Sequence, residues 1–401
     1  MRNSHDLIIV GGGIVGLAVA LRTLERCPST RLLLLEKESQ LATHQSEHNS
    51  GVIHSALYYK PGSLKALNCI DGYRFLLDFC VREDIPYEIC GKIVVATREE
   101  ELKQLDELYR RGVVNGLVGL RMLLPEEIRE IEPHCVGIRG LHVPQTGIVN
   151  YKVVAEKYAE KIVQLGGEIY RDHQVVQIRR CANGVEVEAN GHRFTSRQLV
   201  TCGGLQSDRL AKFTKPDLDL RIIPFRGEYF RLTPAAKGLV RHLIYPVPDP
   251  AFPFLGVHFT RMIDGGVECG PNAVLAFARE GYCKTDFNLR DMLETLAWPG
   301  FRKVASKYWC IGLGEFHRSF SKAAFVHALQ RLVPEIKMED VESCEAGVRA
   351  QACSREGGLV DDFFILEDGP LLHVCNAPSP AATSSLAIGD NIAQRVVQDL
   401  S

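Results

Sequence analysis

The chain opens on a stretch whose apolar residues do not alternate with polar ones. Residues 6–10 (DLIIV) form an unbroken apolar run behind one acid, the pattern of a strand buried on both faces. Three glycines follow. The apolar spacing over Ile14–Arg26 then predicts a helix that ends before Pro28. Residues 31–35 (RLLLL) predict a second buried strand, closed by Glu36. Such a β-α-β unit begins a parallel sheet covered by helices.

Further along, Val154, Tyr158, Ile162 and Leu165 make an apolar stripe, so residues 150–165 are expected to be a helix capped by Asn150 and ended by Gly166 and Gly167. Residues 167–178 look like a pair of strands. Gly184–Ala189 (GVEVEA) alternates like a half-exposed strand, and residues 198–202 (QLVTC) form another buried run closed by Gly203 and Gly204. After Pro224 the pattern changes. Residues 224–275 are rich in aromatics, proline and glycine, with β-type runs at 227–232 and 254–261. Residues 285–335 look helical, short buried strands return from Val348, and residues 371–375 (LLHVC) are the clearest of these. A last helix is expected from about Pro380. No internal repeat or low-complexity segment is visible.

The expected fold is α/β. A discontinuous Rossmann-type dinucleotide-binding domain would comprise residues 1–80, 140–220 and 345–401. A second, α+β substrate domain on a mostly antiparallel sheet would comprise residues 81–139 and 221–344. Chemistry is expected between them.

Composition narrows the function classes. The 401 residues are 46% hydrophobic and 24% charged, with a formal net charge of -2, which gives no basic footprint for nucleic acid. The 13 cysteines are scattered without a C-x-x-C pair, which argues against a disulfide framework or a zinc site and for a reducing compartment. The apolar run over residues 7–21 lacks a basic flank and is too short to span a bilayer, so neither a cleavable signal nor a transmembrane helix is expected. A peripheral membrane contact stays open, since it needs only a surface patch.

Gly11, Gly13 and Gly16 form G-x-G-x-x-G between the first strand and the first helix, and Glu36 lies 20 residues after Gly16. That spacing suits a pyrophosphate at the helix N-terminus and a carboxylate on a ribose, with Lys37 beside it. NAD uses the same fingerprint. FAD is favoured because two later segments suit a long dinucleotide: the strand ending in Gly203 and Gly204, and the small-residue loop containing Ser379, Ala381, Ala382 and Thr383. The helix after that loop could face the flavin pyrimidine edge and stabilise negative charge on reduction.

Longer strings carry a family resemblance. His48-Asn49-Ser50-Gly51-Val52-Ile53-His54, Tyr58-Tyr59-Lys60-Pro61-Gly62-Ser63, residues 141–149, Phe225-Arg226-Gly227-Glu228-Tyr229, residues 244–250, Gly256-Val257-His258-Phe259-Thr260-Arg261, Gly270-Pro271-Asn272-Ala273, Ala346-Gly347-Val348-Arg349-Ala350-Gln351 and residues 376–383 run across almost the whole chain. Together they resemble the L-2-hydroxyglutarate dehydrogenase/oxidase family of D-amino-acid-oxidase-like flavoproteins. One departure is visible: Ala56 stands where glycine is expected. The resemblance implies non-covalent FAD, oxidation of L-2-hydroxyglutarate to 2-oxoglutarate, and electron delivery to a membrane quinone pool from the cytoplasmic face of the inner membrane.

Oxidising a dianionic 2-hydroxy acid requires a proton acceptor for the hydroxyl and cationic groups for the carboxylates, while the flavin takes the hydride. His54, in a small-residue stretch suited to cofactor approach, is the first candidate for base or orienting group, against a structural histidine. His258 alternates with Gly256 and Thr260 on one strand face and is a second base or carboxylate ligand if that face lines the cleft rather than meeting solvent. Arg349 suits a substrate carboxylate or an internal acid; Arg226 and Tyr245 are weaker substrate-binding candidates on the same logic. Lys60 reads as a solvated loop charge. Ser46, Asn49 and Ser50 either contact flavin or pyrophosphate, which the resemblance favours, or cap local turns. Val176 offers its backbone to the adenine, as the resemblance implies. His44, His48 and His54 lack the partners of a metal site. An amine or amino-acid oxidase on the same fold, or a flavin-binding redox sensor without turnover, are the competing readings.

Overall fold

The computed structural model describes residues 4–249 and 256–400. Pro250, Phe254 and Leu255, which fall in the strings and strand run above, lie outside the described residues.

The first sheet explains why its opening strands read as unbroken apolar runs. Ser4–Val10 and Leu32–Leu35 pair in parallel. Leu7, Ile9, Leu32 and Leu34 enter one core with the helices Ile14–Arg26, Tyr151–Gln164 and Ser385–Leu400, while Ile8, Val10, Leu33 and Leu35 enter another with Val187 and Phe194. Both faces are covered, so polar positions would be buried on either side. Glu168–Tyr170 extends the sheet in parallel beyond Leu32–Leu35, and His192–Thr201 flanks Ser4–Val10, again in parallel. Leu371–Asn376 adds to the C-terminal half of His192–Thr201, and Phe364–Asp368 pairs antiparallel with it. The hairpin of Val175–Cys181 and Gly184–Ala189 joins the N-terminal half. The strand pair expected over residues 167–178 therefore divides between separate edges of one sheet. The last helix begins at Ser385, later than expected, because residues 378–384 are spent on turns.

The second sheet is antiparallel except at one pairing. Its order is Val341–Ser343, Phe230–Leu232, Val267–Gly270, His258–Arg261, Leu243–Pro246, Lys92–Ala96, Arg139–Val143 and Arg121–Leu123, and Leu243–Pro246 runs parallel to Lys92–Ala96. Ile93, Val95, Ile244 and Phe259 face Phe325, Val326 and Leu329. Val94 and Tyr245 face the other way, with Leu57, Leu105 and Leu108. Register places Lys92, Tyr245 and His258 on this second face, because Leu243 sits opposite Lys92 and Thr260, and Tyr245 opposite Val94. A three-stranded sheet built on Leu220–Gly227 and Gly347–Ser354 leads from one large sheet to the other. The boundaries expected at 140 and 220 fall inside or at the end of strands: Arg139–Val143 belongs wholly to the second sheet, and Leu220–Gly227 pairs with Gly347–Ser354 across the expected division. The helices Leu289–Ala297, Pro299–Phe320 and Lys322–Leu329 fill the region expected to be helical.

Candidate active site

The glycine loop and its neighbours wall a cleft of about 640 Å³. Gly11 has φ +112, and a Cβ there would stand 2.4 Å from the Cys202 carbonyl oxygen. A Cβ on Gly16 would stand 2.0 Å from the Gly11 carbonyl oxygen, so this glycine lets the helix close on the turn. Gly13 is the N-cap of Ile14–Arg26, whose first turn carries no acid. The amide of Ile14 donates to Ser46 Oγ at 2.9 Å, which pins the following loop to the helix start. Glu36 accepts from the Gly12 amide at 2.5 Å and from the Glu38 amide at 2.9 Å. Gly203 and Gly204 line the opposite wall.

Val176 also lines this cleft, at a register break in its hairpin, so its backbone stands outside the ladder. That is the geometry needed for main-chain hydrogen bonding to an adenine. Lys37 reaches the cleft, but its ammonium is held by Glu38, by His44 at 3.1 Å and by Glu280 at 3.1 Å. Asn49 turns its side chain inward, donating to the Gln45 and Ser46 carbonyls and accepting from the Gly51 amide, so it closes its own loop. Ser50 is half-buried beside it. The donor-rich helix start, the buried Glu36 and the unpaired backbone at Val176 fit a dinucleotide held along this wall.

His54 connects that loop to the far end of the chain. Its amide donates to Thr383 Oγ1 at 3.1 Å, and its Nε2 lies 3.4 Å from Ser379 Oγ. Thr383 Oγ1 is also 2.7 Å from the Tyr151 hydroxyl, so its side chain ties three segments together. Ala381 and Ala382 are half-buried in the same loop. Ala56 has φ +64, the left-handed region in which glycine is less strained, which explains the expected residue there.

Near His54, the second sheet contributes Lys92, Tyr245 and His258, and the three-stranded sheet contributes Arg349. His258 is buried, so the solvated-face alternative is excluded. Its ring centroid lies 4.0 Å from that of Tyr245, and its Nδ1 is 2.8 Å from the Gly256 carbonyl oxygen. Burial draws both His54 and His258 down to about 3; Lys92 and Arg349 push both the same way. Both imidazoles are therefore neutral near pH 7. Arg349 hydrogen-bonds to Tyr229, whose phenol burial holds above its ordinary range.

Lys92 was not among the expected site residues. It is 2% exposed, with Nζ 4.5 Å from the Tyr58 ring centroid and 4.9 Å from that of Tyr245. A lysine opening the apolar strand KIVVA is a legible anomaly, because an ammonium is rarely placed fully inside. Tyr58 and Tyr229 lie within the quoted strings, but nothing in the pattern distinguishes them from packing tyrosines.

Arg226 requires a correction. Its Nε and Nη2 donate to Glu228 Oε1 at 3.1 and 2.9 Å, and its Nη1 donates to the Cys283 carbonyl. Glu228 in turn accepts from Asn272 and Ser319. The guanidinium is thus consumed by an internal ion pair rather than offered to a ligand. All 13 cysteines are free thiols.

The profile of the FAD dependent oxidoreductase family matches residues 6–395. The chain belongs to this family. An L-2-hydroxyglutarate dehydrogenase from Indibacter alkaliphilus is 56% identical over 97% of this chain and 98% of its own length. The human mitochondrial L-2-hydroxyglutarate dehydrogenase is 44% identical over 99% of this chain and 89% of its own. Within the wider family, this oxidoreductase therefore belongs with the L-2-hydroxyglutarate dehydrogenases. An L-alpha-glycerophosphate oxidase from Mycoplasma pneumoniae, solved with FAD bound, shares the fold at TM-score 0.80 and 23% identity over 99% of this chain and 95% of that one. FAD is the cofactor of this enzyme, and the cleft along Gly11, Glu36 and Val176 fits it.

Proposed function

We propose that this flavoenzyme oxidises L-2-hydroxyglutarate to 2-oxoglutarate. The observation that carries the reading is a grouping of side chains: Lys92 and Arg349 lie close to the neutral His54 and His258, beside the loop of Ser379 and Thr383. Two cations match two substrate carboxylates, and an uncharged imidazole can take the hydroxyl proton. FAD, when bound, supplies the N5 position that accepts the hydride from C2.

The chain's own residues divide the rest of the work. A carbonyl oxygen can only accept, so His258 Nδ1 must donate to Gly256 and Nε2 must carry the free lone pair. His258 is accordingly the base for the hydroxyl proton. His54, fixed through its amide to Thr383, orients the hydroxyl. Arg349, with its planar fork, takes the carboxylate next to the reacting carbon. An amino-acid substrate would bring a cationic ammonium towards these same cations, which disfavours it. Anaerobic reduction of the bound flavin by L-2-hydroxyglutarate tests the reading.

A surface feature supports electron delivery to membrane quinone. The helix Leu289–Ala297 is inverted: Asp291 and Thr295 are buried, whereas Leu289, Leu293 and Leu296 are 62%, 56% and 47% exposed. Asp291 faces inward to hold Arg209. Trp309 and Leu313 on the next helix are exposed as well, and Arg302, Lys303 and Lys307 supply exposed positive charge on that helix. An apolar stripe with basic neighbours suits the interface of an anionic leaflet. No helix among the described residues is long and apolar enough to cross a membrane. The exposed apolar stripe supports peripheral docking, and the cytoplasmic face of the inner membrane is what the family resemblance implies.

A further inference from the structure

We propose that Lys92 and Tyr58 form the subsite for the distal carboxylate of the substrate, and so select dicarboxylic over monocarboxylic 2-hydroxy acids. The inference rests on the reading of the enzyme as a 2-hydroxy-acid dehydrogenase and adds what decides the substrate's length and second charge.

A buried ammonium normally has a carboxylate partner, because an isolated charge is costly to desolvate. Lys92 has none among the described residues. Its surroundings are the faces of Tyr58 and Tyr245, with burial as the dominant influence on its titration. Aromatic faces partly stabilise a cation but accept no proton from it. Its three N–H donors are therefore available to a ligand.

Tyr58 gives an independent indication. Its hydroxyl is buried without a hydrogen-bond partner among the described residues. Buried hydroxyls are nearly always satisfied, so an orphan beside an unpaired ammonium marks a place built for an acceptor. One carboxylate would serve both groups, accepting from Nζ and from the phenol.

The position fits the far end of the substrate. Lys92 lies on the same sheet face as Tyr245 and His258, while His54 holds the loop of Ser379 and Thr383. Arg349 is hydrogen-bonded to Tyr229 and influences both histidines, so it suits the carboxylate beside the reacting carbon. The rings of Tyr58 and Tyr245 would pack against the two methylenes between the reacting carbon and the distal carboxylate. Neither ring requires a charge on the ligand, so selection falls to Lys92 and the Tyr58 hydroxyl.

The test compares L-2-hydroxyglutarate with L-2-hydroxypentanoate, which has a methyl where the distal carboxylate stands, in the FAD-loaded wild type, Lys92→Met and Tyr58→Phe. Lys92→Met should lower kcat/KM for the dicarboxylate at least about 30-fold and that for the monocarboxylate less than about threefold. Tyr58→Phe, which removes only the hydroxyl, should move the same ratio by about 5- to 10-fold. FAD occupancy should be unchanged in both. Equal losses on the two substrates, or no loss on either, would overturn the subsite. If the wild type is reduced by neither acid, the parent reading fails and the inference falls with it. If the wild type is reduced and the ratio stays fixed, only the inference fails. Should Lys92→Met fail to load FAD, the ratio in Tyr58→Phe decides alone.

Discussion

The imidazole of His258 is locked to the Gly256 carbonyl through Nδ1 at 2.8 Å, which leaves Nε2 as its one free lone pair. Burial keeps that ring neutral far below pH 7. The proposed base is thus oriented before a substrate arrives. His258→Gln should therefore slow flavin reduction by about 100-fold or more, within the usual range for a lost general base, with FAD content unchanged. Stopped-flow absorbance of the bound flavin measures this. An unaltered rate would remove His258 from the proton path.

Arg226 makes the opposite kind of prediction. Because its partner Glu228 stays buried, Arg226→Leu should cost about 3–5 kcal/mol of folding stability, read by urea denaturation. The folded variant should reduce its flavin at close to the wild-type rate. A stable variant with lost turnover would instead return Arg226 to the substrate site.

Lys92 sets the pH dependence. Burial lowers its ammonium from the ordinary 10.5 to about 7. Above that pH the free enzyme meets its dianionic substrate with a neutral amine, so kcat/KM should fall about tenfold per pH unit. The groups facing it do not interfere. His54 and His258 are held near 3, Cys69 is pushed up to about 12, and burial raises Tyr58 and Tyr245. Lys92→Arg, which stays charged, should abolish the falling limb. The same depression has a folding consequence. Between pH 7 and 10.5 the unfolded chain holds a proton that the ligand-free folded state has shed, so this lysine's destabilising effect is full near pH 7 and relieved as pH rises. Denaturation midpoints of Lys92→Met should lack that rise.

For the apolar helix, the double variant Leu289→Glu, Leu293→Glu should lose sedimentation with anionic vesicles while soluble flavin reduction persists. Retained sedimentation would contradict docking through this face. If the wild type ignores vesicles but is a dimer that the variant splits, the stripe covers a second copy of the chain instead.

Much of the architecture was legible because it depends on local pattern. Runs such as DLIIV and RLLLL state burial on both faces, and the glycines declare close approach by where a Cβ could not fit. The substrate side was less legible. Whether the His258 face is solvated or buried depends on what packs over the sheet, which alternation alone does not encode. Arg226 was a weaker candidate than Arg349 on the same logic, and its pairing with Glu228 is visible only in three dimensions. Lys92 signalled itself as a charge within an apolar strand, but its aromatic neighbours come from the Tyr58 loop and the adjacent Leu243–Pro246 strand. Asn49 and Thr383 have cofactor-like side chains whose hydrogen-bonding capacity is used within the fold.

The central claim is that the two cations and two neutral histidines serve a dianionic 2-hydroxy acid. The most direct measurement is the visible spectrum of the oxidised holoenzyme, mixed without oxygen with L-2-hydroxyglutarate. Prompt bleaching of the flavin band, with one 2-oxoglutarate formed per flavin reduced, is the expected result. Bleaching by amino acids or sarcosine but not by L-2-hydroxyglutarate, or bleaching by none of them, would contradict the account.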